Sequence, residues 1–242
     1  MKIKECTHRG PDSDGDVNFD AKVTIENKSE HVIELLKTST LVINPSGICV
    51  GGTYDNEHDV FIDPESSESV DVSAYAKGLT KDEANKTKIL VSASLFRRDF
   101  HKMGLIDVPE DHKTFSILDK TSDICGGMIK LFGAVLKREK PDEEGNVGLS
   151  ATVGVRNLSE KSLERIRVKM VLIDQEDAIL EETTAELPLP PYMSTVLDPS
   201  FWGIKKGRLR NCQVRLGISV FHGIGDLPES SRAAEALSKE EE

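Results

Sequence analysis

The chain has little of what most functional classes require. Its 242 residues include one tryptophan, three tyrosines and four cysteines, and aromatic residues make up 5% of the total. The cysteines, Cys6, Cys49, Cys125 and Cys212, are scattered with no C-x-x-C spacing. That pattern fits free thiols in a reducing compartment best. No run approaches the ~20 apolar residues of a membrane helix. The opening MKIKECTHRGPDSDGD has no apolar core of a secretory signal, so a cytoplasmic location without membrane association is expected. Positive charge is also scarce: 31 basic against 42 acidic residues give a net charge of −11, which repels phosphate backbones and argues against nucleic acid as a partner. No G-x-S-x-G, phosphate-binding glycine loop or H-E-x-x-H occurs, and Gly51-Gly52 and Gly223-Ile224-Gly225 are too short to count as one. A non-enzymatic protein without a cofactor is expected.

Present instead is a repeat. Residues 11–43 and 141–173 align at a constant offset of 130, without a gap, with eleven of 33 positions identical. Pro11/Pro141, Asp12/Asp142, Gly15/Gly145, Val23/Val153, Asn27/Asn157, Ser29/Ser159 and Ile43/Ile173 are among them. A weaker echo follows: Asp63-Pro64-Glu65 answers Leu189-Pro190-Pro191, and Phe100-His101 answers Phe221-His222. Self-similarity of this length reads as an internal duplication.

Within each copy the apolar period is two. Phe19, Ala21, Val23 and Ile25 alternate with polar residues, as do Leu149, Ala151, Val153 and Val155, and later Ile89, Val91, Ala93 and Leu95, and Val214, Leu216, Ile218 and Val220. Pro11–Gly15 and Pro141–Gly145 read as hairpin turns with glycine supplying the positive φ, and Asn27-Lys28-Ser29 and Asn44-Pro45-Ser46-Gly47 as further turns. About seven strands per copy is the spacing of a sandwich. The expected layout is a first β-sandwich at 1–120, a linker at 121–127 hinged on Gly126-Gly127, a second sandwich at 128–230 and a short, helical, acidic tail at 231–242. The tail is the one segment expected to be helical.

A strand ending in Asn27-Lys28-Ser29, an apolar strand after it, a polar turn with Gly47, and Pro64-Glu65-Ser66 before Val70 together resemble immunoglobulin-like or fibronectin-like β-sandwich modules. The resemblance covers both copies and implies two tandem antiparallel sandwiches. It implies no activity, because this architecture hosts many unrelated functions. With Trp202 the sole tryptophan there is no Cys…Trp…Cys pattern, which excludes the antibody type.

Three places carry candidate chemistry. Asp12, Asp14, Asp16 and Asp20, with Asn18 between them, place oxygens at alternate positions as a calcium loop does. However, Val17 stands where an EF-hand needs glycine, and the duplicate relaxes Asp14 to Glu144 and Asp16 to Asn146, so turn chemistry is the simpler reading. His101 and His222 recur after a phenylalanine and read as caps of strand ends, one per copy, ahead of any metal or catalytic role. Lys205, Lys206, Arg208 and Arg210 form a basic run that can meet an acidic partner, including Glu240, Glu241 and Glu242 of another copy. These features predict a structural or protein-interaction role with self-association. The alternative is a calcium- or carbohydrate-dependent binding module using loops at the sandwich ends.

Overall fold

The computed structural model describes residues 1–109, 114–117 and 122–224, and the backbone of 234–235. The strands run β1 (Lys2–Arg9), β2 (Val17–Glu26), β3 (Ile33–Ile43), β4 (Cys49–Ile62), β5 (Ser67–Ala76), β6 (Lys88–Asp107), β7 (Thr114–Ser116) and β8 (Ser122–Ile124). They continue as β9 (Ile129–Arg138), β10 (Asn146–Asn157), β11 (Leu163–Ile173), β12 (Ile179–Leu189), β13 (Ser194–Leu197), β14 (Ser200–Lys205), β15 (Gln213–Gly223) and β16 (Ala234–Glu235). The ladders are antiparallel, and the architecture is all-β, consistent with a β-sandwich. No helix among the described residues is long and apolar enough to cross a membrane.

The chain forms two compact units, Met1–Arg97 with Gly223–Glu242, and Arg98–His222. Strand β6 carries the backbone from one to the other. Of the expected linker, Ser122–Ile124 is strand β8 and Cys125–Gly127 is a 3-10 turn, both in the second unit.

In the first unit, β1-β2-β5 forms one layer and β4-β3-β6 the other, linked where Gly51 and Gly52 of β4 pair with Ala76 and Tyr75 of β5. The alternation in β2 faces Val17, Phe19, Ala21, Val23 and Ile25 inward, beside Val70, Val72 and Ala74 of β5. Leu36 and Val42 of β3 and Ile89 and Val91 of β6 close the core from the other layer. Thr38 and Thr40 are buried on β3. Thr40 Oγ1 lies 2.6 Å from Thr53 Oγ1, and Thr38 Oγ1 lies 3.0 Å from His58 Nε2, where burial pushes the imidazole pKa down. Outside the strands, Thr80 opens a short helix α1 (Lys81–Ala84) with a reciprocal capping box to Glu83. The Thr-x-x-Glu signature was there to be read, and it makes α1 a helix the sequence reading missed.

In the second unit, the later part of β6 joins β15-β11-β12 as one sheet, and β10 is the centre of the other, between β9 and β13/β14. The core is built from Val147, Leu149, Ala151, Val153 and Val155 of β10, Leu131 and Leu136 of β9, Val168 and Met170 of β11, and Leu216 and Ile218 of β15. Of the expected helical tail, only the backbone of Ala234–Glu235 is described, as strand β16 against β6; the rest of 231–242 lies outside the described residues.

Three loops repeat their hydrogen bonds at the offset of 130. Asp12 Oδ1 accepts from the amides of Asp14 and Asp16, both 2.9 Å, as Asp142 Oδ1 accepts from Glu144 (3.0 Å) and Asn146 (2.7 Å). Glycine completes both turns, Gly15 at φ 76° and Gly145 at φ 77°, a conformation a Cβ disfavours. Asn44 Oδ1 accepts from Ser46 and Ile48 as Asp174 Oδ1 does from Glu176 and Ala178. The third loop is the most buried. Asn27 Nδ2 donates to the carbonyls of His31 (2.8 Å) and Ile62 (2.9 Å), while its Oδ1 accepts from Ser29 N and Oγ. Asn157 repeats this toward Lys161 (2.8 Å), Leu189 and Pro190 (both 3.1 Å), with Ser159 in the place of Ser29. Both asparagines are almost wholly buried, so the amide supplies donors to carbonyls that water does not reach.

Candidate binding face of the second unit

The residues singled out from sequence do not assemble into one site. Asp12 spends an oxygen on two backbone amides. Asp16 Oδ2 accepts from the Tyr75 hydroxyl, a bond that pushes the phenol pKa up to about 12. Asp20 pairs with Arg9 at 3.0 Å. Asp14 contributes its amide to the turn. The carboxylates of Asp12, Asp16 and Asp20 thus each serve a separate partner in a turn or on a sheet face, and among the described residues no group of three or more His, Cys, Asp or Glu is placed to hold a metal ion.

His101 and His222 both lie in the second unit, not one per copy as their recurrence suggested. His222 Nε2 is 2.9 Å from Asp99 Oδ2, a carboxylate 123 residues away in sequence that only the strand arrangement brings near. His101 sits on β6, half-buried. Of the basic run, Lys205 Nζ donates to the Glu144 carbonyl at 3.1 Å. Lys206 and Arg210 line an open cavity of about 1220 Å³ with Arg138, Asp107, Asp174 and Asp177, and Arg208 lies on the same 3-10 turn, Lys206–Leu209. Acid and base are mixed around that cavity, so it presents no single sign to a ligand. Glu240, Glu241 and Glu242 lie outside the described residues.

A surface that the sequence reading passed over is better formed. On β10 the residues that point away from the core are Gly148, Ser150, Thr152, Gly154 and Arg156, alternating with the buried apolar set. Both glycines are covered by an aromatic ring. A Cβ on Gly148 would stand 2.8 Å from Trp202 Cζ3, and one on Gly154 would stand 2.7 Å from Phe132 Cε2. Glycine is therefore required at each position for the ring to lie against the backbone. Trp202 is nonetheless 71% exposed, fixed by an Nε1–H donated to Ser200 Oγ at 3.0 Å. Gly154 pairs with Phe132 on β9 and with Val196 on β13, giving one apolar row across the three strands. At the other end, Gly148, Trp202 and Glu139 form a second row, with Lys137 Nζ 2.8 Å from Glu139 Oε1. Between them lie Thr152 beside Val135, and Ser150 beside Ser200 and Lys137.

The first unit provides an internal control. At the offset of 130, Gly148 answers Asn18, Gly154 answers Thr24 and Phe132 answers Lys2. There Thr24 pairs with Lys2 and Ser69, and its Oγ1 lies 2.8 Å from Ser69 Oγ, while Asn18 pairs with Arg9 and Tyr75. The face that is apolar with a hydroxyl floor in the second unit is polar and charged in the first. The signal in the sequence was the pair of glycines at outward positions of a strongly alternating strand.

No protein-family model matches this chain, and no curated protein matches it. Among solved structures, a protein from Archaeoglobus fulgidus is 14% identical, covers 39% of this chain and 82% of its own, with a TM-score of 0.22. The N-terminal CBM22-1-CBM22-2 tandem domain of Paenibacillus barcinonensis Xyn10C is 11% identical, covers 89% and 84%, with a TM-score of 0.25. A GH2 beta-galacturonidase from Eisenbergiella tayi is 9% identical, covers 86% of this chain and 35% of its own, with a TM-score of 0.24. Likenesses this slight carry no argument about function.

Proposed function

We propose that the chain is a non-enzymatic, cytoplasmic binding protein built from two tandem immunoglobulin-like sandwiches, and that it holds its partner on the outward β9-β10-β13/β14 face of the second unit. The duplication reading rests on the three loops whose hydrogen bonds recur 130 residues apart. The observation that carries the binding reading is the seating of Trp202 and Phe132 on two glycines. An aromatic left 71% exposed costs solubility, and a side chain that needs glycine beneath it is held in place by the architecture of the sheet. A ring so held loses little freedom when a ligand covers its open face. As the sole tryptophan, Trp202 also reports on that face directly. Its emission is to be followed against increasing protein concentration, an extended neutral peptide and soluble polysaccharides. At least one arm shifts the emission saturably, and Phe132→Ser abolishes the shift. An emission indifferent to every arm contradicts the reading.

Self-association is a second reading with its own observation. Among the described residues β1 is hydrogen-bonded as a strand only to β2, and β12 only to β11, so each is an edge of its sheet. Strand β1 carries Lys2, Lys4 and Arg9 with Glu5 among them, Arg9 being paired with Asp20, and β12 carries Glu181, Glu182 and Glu186, of which Glu182 pairs with Lys169 and Glu186 with Arg167. Open edges of opposite charge suit strand addition between copies, with charge setting register and salt sensitivity. A head-to-tail contact of this kind would propagate past a dimer. Light scattering at low salt is expected to show mass above a dimer that falls on adding salt; a monomer at high concentration and low salt contradicts it.

A further inference from the structure

Resting on the binding-face reading, we infer that the ligand of the Trp202–Phe132 face is an uncharged, linear polyhydroxylated chain, a neutral glycan. The dimensions narrow the field first. Gly148 and Gly154 are six residues apart on one strand, which at the rise of an extended strand sets the two aromatic rows roughly 20 Å apart. The two rows are carried on β9, β10 and β13/β14, roughly 10 Å between the outer of these strands, in a sheet that continues past β9 to β7 and β8. The resulting strip is on the order of 200 Å², against about 800 Å² per partner in a stable protein–protein interface. A second folded domain needs more surface than this; a narrow chain lying along β10 does not.

The chemistry separates the narrow chains. An extended peptide gains its affinity by completing backbone hydrogen bonds at a sheet edge. Strand β10 has no edge to offer: β9 takes one side of its backbone and β13 with β14 the other. What the strip does offer is side-chain hydroxyls, Ser150, Thr152 and Ser200, which both donate and accept. Flat apolar faces stand at either end, Trp202 on Gly148 and Phe132 on Gly154 with Val196 alongside. A ligand that carries its own hydroxyls at its rim and apolar C–H faces on its rings matches both. Of the cations that face outward here, Lys137 is paired with Glu139, while Arg156 and its cross-strand neighbour Lys130 lie beyond the Gly154 row; the whole chain carries −11, which disfavours an anionic glycan.

The test uses the full-length protein and three sets of probes. The neutral set is hydroxyethyl cellulose, laminarin, galactomannan and a soluble starch dextrin; the anionic set is polygalacturonate; the peptide is an uncharged twelve-residue β-former. Binding is read by affinity electrophoresis and by titration of Trp202 emission. At least one neutral glycan is expected to bind saturably, with polygalacturonate and the peptide at least 10-fold weaker. Phe132→Ala and the double variant Ser150→Ala/Thr152→Val are expected to weaken binding about 10-fold or more, with far-ultraviolet circular dichroism and melting unchanged. Trp202→Ala, read by electrophoresis alone, behaves likewise. Lys2→Ala on the corresponding face of the first unit leaves binding intact. If no neutral glycan binds, or if the variants bind as the parent does, the inference falls. If instead the peptide or a second copy shifts Trp202 emission and Phe132→Ala removes that shift, the glycan is wrong while the binding face stands. If no probe moves the emission, both are wrong.

Discussion

Replacing Asn157 by alanine removes one side chain and, with it, the hydrogen bonds that tie the end of β10 to the loops before β11 and after β12. Its amide donates to Lys161, Leu189 and Pro190, and its carbonyl accepts two bonds from Ser159. The side chain is fully buried, and the bond to Leu189 O is itself buried. A buried acceptor stripped of its partner costs about 1–3 kcal/mol. The four bonds nearer the surface can be replaced by water, at about 0.5 kcal/mol each, giving roughly 3–5 kcal/mol in all. With a urea slope of about 2 kcal/mol/M, the unfolding midpoint of the second unit falls by roughly 2 M. Asn157→Asp keeps the acceptor but loses the donors and buries a charge, so it is no milder. Ser159→Ala costs about 0.5–1.5 kcal/mol. Equilibrium urea unfolding followed by circular dichroism measures all three. An Asn157→Ala protein within about 1 kcal/mol of the parent refutes the view that this asparagine locks the loop, and the same argument for Asn27.

Three further outcomes follow from the geometry. Gly148→Ala pushes a Cβ into the Trp202 ring, so its emission changes at modest cost, whereas Gly154→Ala also meets the Phe132 backbone carbonyl at 2.1 Å and destabilises by about 1–3 kcal/mol, read as thermal melting. The Tyr75 phenol is pushed up to about 12 from its ordinary 10 because its hydroxyl donates a hydrogen bond to Asp16 and the neighbouring carboxylates oppose a phenolate. The neutral form is favoured in the folded state, so this contribution is whole below pH 10 and lost as pH rises towards 12; ultraviolet titration is expected to show one late phenol that returns towards 10 in Asp16→Ala. Millimolar calcium leaves the melting temperature unchanged, since Asp12, Asp16 and Asp20 each serve a separate protein partner; a calcium-dependent rise abolished by Asp14→Ala would count against that assignment.

Local pattern was legible because it is written in neighbouring residues. The alternation of Phe19 to Ile25 and of Leu149 to Val155 became the inward faces of β2 and β10, and the Asp-x-x-Gly loops became turns capped by their own aspartates. The repeated Asn27 and Asn157 were visible as identities, but their reason was not: the carbonyls they satisfy, Ile62 and Leu189, come from strands more than thirty residues away. Pairings of that kind hid Asp99 from His222, and they hid Trp202 and Phe132 from each other across β10. The basic run at 205–210 stood out by composition alone, and composition does not say that Lys206 and Arg210 border a cavity shared with three aspartates.

The most direct test of the binding-face account is a two-dimensional amide NMR titration of the labelled protein with whichever probe shifts Trp202 emission. The account predicts that the perturbed resonances are the single indole N–H of Trp202 and the amides of Phe132, Gly148, Ser150, Thr152 and Gly154. Perturbations confined instead to Asp12–Asp20, or to the cavity around Arg138 and Arg210, would contradict it.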